Sequence, residues 1–157
     1  MLPLPVRWKG ASSARRCRTS SGDLVGRGTG MGVEGPLALV VDDDDGSRRL
    51  VAALLARAGW SCVVASDGME ALAVAQTVRP GLAVIDLMLP GMTGLDVALR
   101  IKRSFPSVAL AGISGWPELW GARDLSSVGI SRVFGKPFDA LDFIEWARAV
   151  VRTPAGA

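Results

Sequence analysis

The sequence contains a run of four aspartates, Asp42–Asp45, directly behind the apolar residues Leu37–Val41. Adjacent carboxylates repel one another, so such a run needs a physical reason. Because aspartate is common in turns and at helix N-caps, one interpretation is a turn exposed to solvent. The other interpretation is that some of these carboxylates bind a cation together.

Three more polar residues stand at or just behind the ends of apolar runs: Asp86 in "LAVID", Ser114 after "VALAGI" and Lys136 shortly after "RVF". Each one alone is compatible with an ordinary loop residue, but their joint placement is hard to assign to chance. The chain has no histidine. This excludes a Ser-His-Asp triad, a histidine metal site and a phosphohistidine carried by the chain itself.

Short apolar segments alternate with segments of helical periodicity, which indicates a parallel sheet covered by helices on both faces. Strands are predicted at residues 37–41, 62–65, 82–86, 108–113 and 132–134. Helices are predicted at residues 47–58, 67–77, 95–104 and 118–128, and in a fifth segment capped by Asp139. Ligands of such sheets bind at the carboxyl ends of the strands. We therefore expect Asp42 and Asp43 in a cation site, with Asp44 and Asp45 at the turn and the helix start.

In order along the chain, the segments "VVDD", "IDLMLPGMTG", "ISGW" and "FGKPF" resemble the receiver domain of two-component response regulators. The resemblance covers Leu37 to about Arg152. It implies an α/β, flavodoxin-like (βα)5 three-layer sandwich with a parallel five-stranded sheet of order 2-1-3-4-5.

The resemblance also implies a role for each residue at the strand ends. Asp86 is expected to be the phosphoacceptor, and Asp42 and Asp43 the acidic pair around Mg²⁺. The backbone carbonyl of Met88 is expected to be a further metal ligand. Ser114 would be the switch hydroxyl, and Lys136 the phosphate-contacting lysine, in a Lys-Pro bond that is typically cis.

The chemistry of these residues supports the roles independently. Mg²⁺ takes a few carboxylate or carbonyl oxygens and keeps several waters, so three acids without a full protein cage suit it. A carboxylate can attack phosphorus and form an aspartyl-phosphate. Because clustered anions repel a phosphoryl group, the metal and Lys136 must neutralise its charge. With no histidine in the chain, the donor must be a partner's phosphohistidine or a small acyl phosphate.

The sequence departs from the family pattern around the switch. The position three before the lysine, usually an aromatic, is Val133, while Phe134 should point to the other face of its strand. Trp116 stands two residues after Ser114, so we expect Trp116 to carry the conformational change. Trp116 and Trp120 either cover the core or bind a partner, because tryptophan is enriched at interface hot spots.

Residues 1–35 differ in composition from the rest of the chain. They carry six basic and two acidic side chains, whereas residues 36–157 carry 12 and 13. The Gly/Ser/Arg-rich composition predicts a disordered basic arm, for which we favour a position upstream of a true start at Met31 over a weak nucleic-acid-binding tail. The receiver domain is predicted over residues 36–152, with a short tail at 153–157. No apolar run is long enough for a membrane span, and Cys17 and Cys62 are expected to be reduced thiols in the cytoplasm.

The leading hypothesis is a stand-alone receiver that is not an enzyme. It would take a phosphoryl group from a sensor histidine kinase or a histidine phosphotransfer protein onto Asp86, with Mg²⁺, and signal by protein contact or onward transfer. Nucleic-acid binding is not expected. One alternative is an interaction module with the same fold that is not phosphorylated. Another is a phosphatase of the aspartyl-phosphate class, but Met88 stands where that class has a second acid.

Overall fold

The computed structural model describes residues 36–120 and 125–152, apart from the side chain of Arg152. The predictions of a disordered arm at residues 1–35, of a start at Met31 and of a tail at 153–157 lie outside the described residues, as does Cys17. Within the described ranges, no helix is long and apolar enough to cross a membrane.

Five parallel strands form one sheet in the order β2-β1-β3-β4-β5, as the sequence predicts. Their bounds are β1 Leu37–Val41, β2 Ser61–Ala65, β3 Leu82–Asp86, β4 Ala109–Ser114 and β5 Ile130–Gly135. Every residue of the central strand β3 is buried, which explains its unbroken apolar sequence. The fold is the flavodoxin-like arrangement that the resemblance implies.

In the described part of the chain, four α-helices connect or follow the strands: α1 Asp45–Arg57, α2 Gly68–Val78, α3 Gly94–Ser104 and α4 Ala140–Arg152. Side-chain oxygens cap all four of them: Asp44, Asp67, Thr93 and Asp139 accept from the backbone N–H groups three residues later. These caps satisfy donors that a helix start otherwise leaves unbonded. Gly59 follows α1 with φ +98°, as expected for a glycine that ends a helix.

The prediction of a helix at residues 118–128 is wrong for the residues on both sides of 121–124. Residues 121–124 themselves lie outside the described residues. The chain forms two short 3₁₀ turns instead, Pro117–Leu119 and Ser126–Val128. Neither turn contains a buried residue. A helix in a protein is stabilised mainly by burying an apolar face, and no residue of either turn is fully buried.

Each face of the sheet has its own core. On one face, α1 and α4 pack over β1, β3 and β5, with Phe134 meeting the rings of Phe143 and Trp146 edge-on at 5.0 and 5.5 Å. On the other face, α2 and α3 cover a cluster that Val133 and Trp120 join. Phe134 and Val133 therefore lie on opposite faces, as expected from strand alternation. Cys62 is buried, and its thiol donates to the Ala52 carbonyl at 3.6 Å.

Gly94 allows α3 to begin against the end of β3. A Cβ at this position would lie 2.3 Å from the Asp86 carbonyl oxygen and 2.6 Å from the Leu87 Cα. Because both obstacles are backbone atoms, we expect Gly94→Ala to lower the free energy of unfolding by about 3 kcal/mol or more. Urea unfolding of the wild type and of Gly94→Ala measures this difference in the free energy of unfolding.

A matched control is Gly46→Ala, since Gly46 also lies in the first turn of a helix. Its Cβ would meet a single atom, Asp44 Oδ2, at 3.4 Å. Alanine in a helix is favoured over glycine, so this variant should be as stable as the wild type or up to about 1 kcal/mol more stable. Equal stabilities of the two variants would contradict the close approach of α3 to β3.

Candidate functional site

The ends of β1, β3, β4 and β5 lie beside one another along one edge of the sheet. Asp86, the last residue of β3, stands in register with Ile113, and Ser114 stands in register with Gly135. Asp42 directly follows β1, and Lys136 directly follows β5. The parallel pairing therefore brings together the residues that the sequence places at strand ends.

Three carboxylates form a cluster at this edge. Asp42, Asp43 and Asp86 can each offer one oxygen such that all three atoms lie within 4.8 Å of one another. Asp42 and Asp86 are buried, whereas Asp43 is exposed. Backbone N–H groups hold the two buried carboxylates: Asp44 donates to Asp42 Oδ1 and Met88 donates to Asp86 Oδ1, each at 2.9 Å.

Lys136 joins the two buried carboxylates. Its Nζ lies 3.2 Å from Asp42 Oδ2 and 3.1 Å from Asp86 Oδ2. The backbone N–H of Lys136 donates to the Ser114 carbonyl at 2.8 Å, which fixes the start of the loop after β5. The Lys136–Pro137 bond is cis, as the resemblance implies. One ammonium thus neutralises part of the charge of a three-carboxylate cluster.

The protonation behaviour of the site reflects this crowding. Burial, reinforced by the negative charge of Asp86, raises the pKa of Asp42, although the Asp44 N–H and the Lys136 ammonium act in the opposite direction. Partial burial works against the charged form of Lys136. The hydrogen bond to Asp86 and the charge of Asp42 outweigh it, so the pKa of Lys136 is raised. Added positive charge would therefore stabilise the ionised carboxylates of the site.

The cluster fits a hard divalent cation. It offers three carboxylate oxygens close enough to share one ion, and Asp43 is open to solvent, so bound waters can complete the coordination. Burial raises the pKa of Asp42 because it disfavours the charged carboxylate, and a neighbouring cation would stabilise that charged form. A divalent cation such as Mg²⁺ could be held by this donor set.

The other two aspartates of the run have local roles. Asp44 caps α1 by accepting from the Ser47 N–H at 2.7 Å, and this bond lowers the pKa of Asp44. Asp45 lies in the first turn of α1 and pairs with Arg48 at 2.7 Å. Arg48 also donates to the Asp42 carbonyl at 2.9 Å, a link that sequence reasoning did not predict. The predicted positions of Asp44 at the turn and of Asp45 at the helix start are confirmed.

Ser114 is buried completely at the end of β4. Its hydroxyl oxygen accepts from the backbone N–H of Trp116 at 3.0 Å and from the indole Nε1–H of Trp120 at 3.1 Å. The Trp116 side chain, in contrast, is 56% exposed. Sequence reasoning expected Trp116 to carry the change at Ser114. The structure places the Trp120 side chain on this hydroxyl, and the sequence contains no local pattern that indicates it.

Comparisons with known proteins agree with this fold. A family model for the response regulator receiver domain matches residues 38–148. The chain is 30% identical over 101 residues to sporulation initiation phosphotransferase F of Bacillus subtilis strain 168, covering 64% of this chain and 82% of that protein. It is 32% identical over 122 residues to the phosphate regulon transcriptional regulatory protein PhoB of Pseudomonas aeruginosa, covering 75% of this chain but only 52% of that protein.

Among solved structures, the receiver domain of NtrX from Brucella abortus superposes with a TM-score of 0.68 at 32% identity. The match covers 74% of this chain and 99% of that one. The matched family segment spans all five strands and includes the three carboxylates, Ser114 and Lys136. This chain belongs to the response regulator receiver domain family.

Proposed function

We propose that this domain accepts a phosphoryl group on Asp86 from a phosphohistidine of a sensor histidine kinase or a histidine phosphotransfer protein. The observation that carries the proposal is the position of Lys136, whose ammonium contacts both Asp86 and Asp42 beside a third carboxylate. A structural ion pair needs only two partners. Three acids with one ammonium leave a deficit of positive charge at an edge where a metal can bind.

In the proposed step, an Asp86 carboxylate oxygen forms a bond to phosphorus while the phosphorus–nitrogen bond to the donor's imidazole breaks. The electron pair of that bond returns to the imidazole nitrogen, which takes a proton from solvent. The products are an aspartyl-phosphate and a neutral histidine on the partner. The donor residue must come from outside because this chain has no histidine.

The residues of the chain prepare this step. The Met88 N–H holds one Asp86 oxygen at 2.9 Å, which fixes the orientation of the carboxylate. Lys136 lies beside the other oxygen and can contact a phosphoryl oxygen as charge develops there. Asp42, Asp43, Asp86 and the Met88 carbonyl would hold Mg²⁺. When bound, the ion supplies charge neutralisation for the phosphoryl oxygens.

The signal would leave the domain by contact with a partner protein or by passing the phosphoryl group onward. One relative of this chain is named a phosphotransferase, and the alignment covers 82% of that protein. This relation supports onward transfer as one of the two routes. In both routes, the domain is a phosphoryl carrier in a signalling chain, without a turnover reaction of its own beyond slow loss of the phosphoryl group.

The proposal is tested with wild-type protein, Mg²⁺ and a small acyl phosphate such as acetyl phosphate. Intact-mass spectrometry should show the gain of a single phosphoryl group, and removal of Mg²⁺ with a chelator should abolish it. Borohydride reduction converts an aspartyl-phosphate to homoserine, so peptide mapping should locate homoserine at position 86. Modification at another carboxylate, or no modification, would contradict the proposal.

A further inference from the structure

The Ser114 hydroxyl oxygen is the meeting point of two N–H donors. The backbone of Trp116 and the indole of Trp120 donate to it at 3.0 and 3.1 Å. A serine hydroxyl has two lone pairs and one hydrogen. Both lone pairs are thus engaged, and the hydroxyl can use its hydrogen only to donate. Within residues 36–120 and 125–152, that hydrogen has no acceptor.

The indole of Trp120 is held in place from several sides. Its ring is half-buried and packs against the core between the sheet and α2 and α3. Its backbone N–H donates to the Pro117 carbonyl at 3.1 Å, which closes the 3₁₀ turn. Pro117 packs against Gly135, where a Cβ would lie 2.7 Å from the Pro117 Cγ. The turn that carries Trp120 therefore rests on β5, next to Lys136.

We propose that Trp120 is a positioning residue for Ser114. By filling a lone pair of the hydroxyl, the indole keeps Ser114 oriented as a donor for a phosphoryl oxygen on Asp86. Ionised phosphoryl oxygens accept hydrogen bonds, so a hydroxyl fixed as a donor is matched to them. The inference rests on the proposed function, because it assigns Trp120 to the same phosphoacceptor site.

The contact itself is tested without any ligand by NMR of ¹⁵N-labelled protein. The chain has five tryptophans, so five indole N–H signals are expected. The signal that Trp120→Phe removes belongs to Trp120. We expect Ser114→Ala to shift this signal because the indole loses its acceptor. An unchanged Trp120 signal in Ser114→Ala would overturn the inference.

The role is tested by the affinity for beryllofluoride, which mimics the phosphoryl group on Asp86, in the presence of Mg²⁺. Loss of one hydrogen bond changes affinity by about 2- to 12-fold, so Trp120→Phe should weaken binding within that range. Trp146→Phe is the matched control and should bind as the wild type does, since Trp146 is also half-buried but packs against the core on the other face of the sheet.

A double-mutant cycle separates positioning from a general structural effect. If Trp120 acts through Ser114, adding Trp120→Phe to Ser114→Ala should cause no further loss of affinity. An equal loss in both backgrounds, unchanged affinity or tighter binding by Trp120→Phe would each overturn the inference while leaving the proposed function intact. Failure of the wild type to bind beryllofluoride would overturn both.

Discussion

Replacing Lys136 with methionine should slow phosphorylation of Asp86 by acetyl phosphate about 10²- to 10³-fold, the range found when one stabilising donor is removed from a transition state. The methylene stem keeps its packing, but the ammonium that lies 3.1 Å from Asp86 is lost. The phosphoryl oxygens would then develop charge beside three carboxylates with less compensation. Quench-flow sampling followed by intact-mass spectrometry measures the rate.

Lys102→Met is the matched control, because Lys102 lies on α3 and its ammonium donates to the Val108 carbonyl rather than to the site. It should be phosphorylated at the wild-type rate. Equal slowing in the two variants would indicate a general loss of structure. A wild-type rate for Lys136→Met would remove the lysine from the mechanism.

The same variant has an expected effect on stability. The pKa of Lys136 is raised in the folded state, so its contribution is fully present at neutral pH and is lost as pH rises through the folded pKa. At neutral pH, Lys136→Met should lower the free energy of unfolding by about 1–3 kcal/mol, the cost of leaving a charged group without its partner. The ammonium is partly exposed, which keeps the loss below that of a fully buried pair.

The difference in the free energy of unfolding between the wild type and Lys136→Met should become smaller as pH falls into the range where carboxylates protonate. Without the ammonium, only the hydrogen bond from the Asp44 N–H opposes the burial that raises the pKa of Asp42, so this acid takes up a proton at a higher pH than in the wild type. Urea unfolding of both proteins across that pH range measures the difference. A deficit that stays constant with pH would contradict the charge argument.

The sheet and most of the site could be predicted because they depend on local patterns. The apolar run of β3 and the acid at its end are adjacent in sequence, and parallel strands place such ends at one edge. The division of the aspartate run also follows from local rules, since Asp44 is an N-cap and Asp45 lies in the first turn of α1.

The remaining features depend on contacts that no local pattern encodes. The indole of Trp120 reaches Ser114 because the short turn that begins at Pro117 packs against Gly135 of β5. Helical periodicity in residues 118–128 indicated a helix, but the turns on either side of residues 121–124 bury no side chain. The weak helical preference of this sequence segment was therefore outweighed by the way the surrounding residues pack. Arg48 was missed for a similar reason, since its acceptor is a backbone carbonyl.

Mg²⁺ binding should depend on Asp43 although this residue is the exposed member of the cluster. Removing a group that only supports a metal ligand already weakens binding 10- to 100-fold, so Asp43→Ala should lower Mg²⁺ affinity by about 100-fold or more. In the wild type, Mg²⁺ should raise the thermal midpoint, because a ligand that binds the folded state stabilises it. Calorimetric titration and thermal melts with and without Mg²⁺ measure the two effects.

The control for this prediction is Asp45→Ala, from the same run of aspartates. Asp45 pairs with Arg48 and Arg49 and does not belong to the three-carboxylate cluster. Its removal should leave Mg²⁺ affinity at the wild-type value. Without Mg²⁺, Asp43→Ala should also be slightly more stable than the wild type, because one like charge leaves a repelling group. If Asp43→Ala binds Mg²⁺ as tightly as Asp45→Ala does, the cation does not lie at the end of β1.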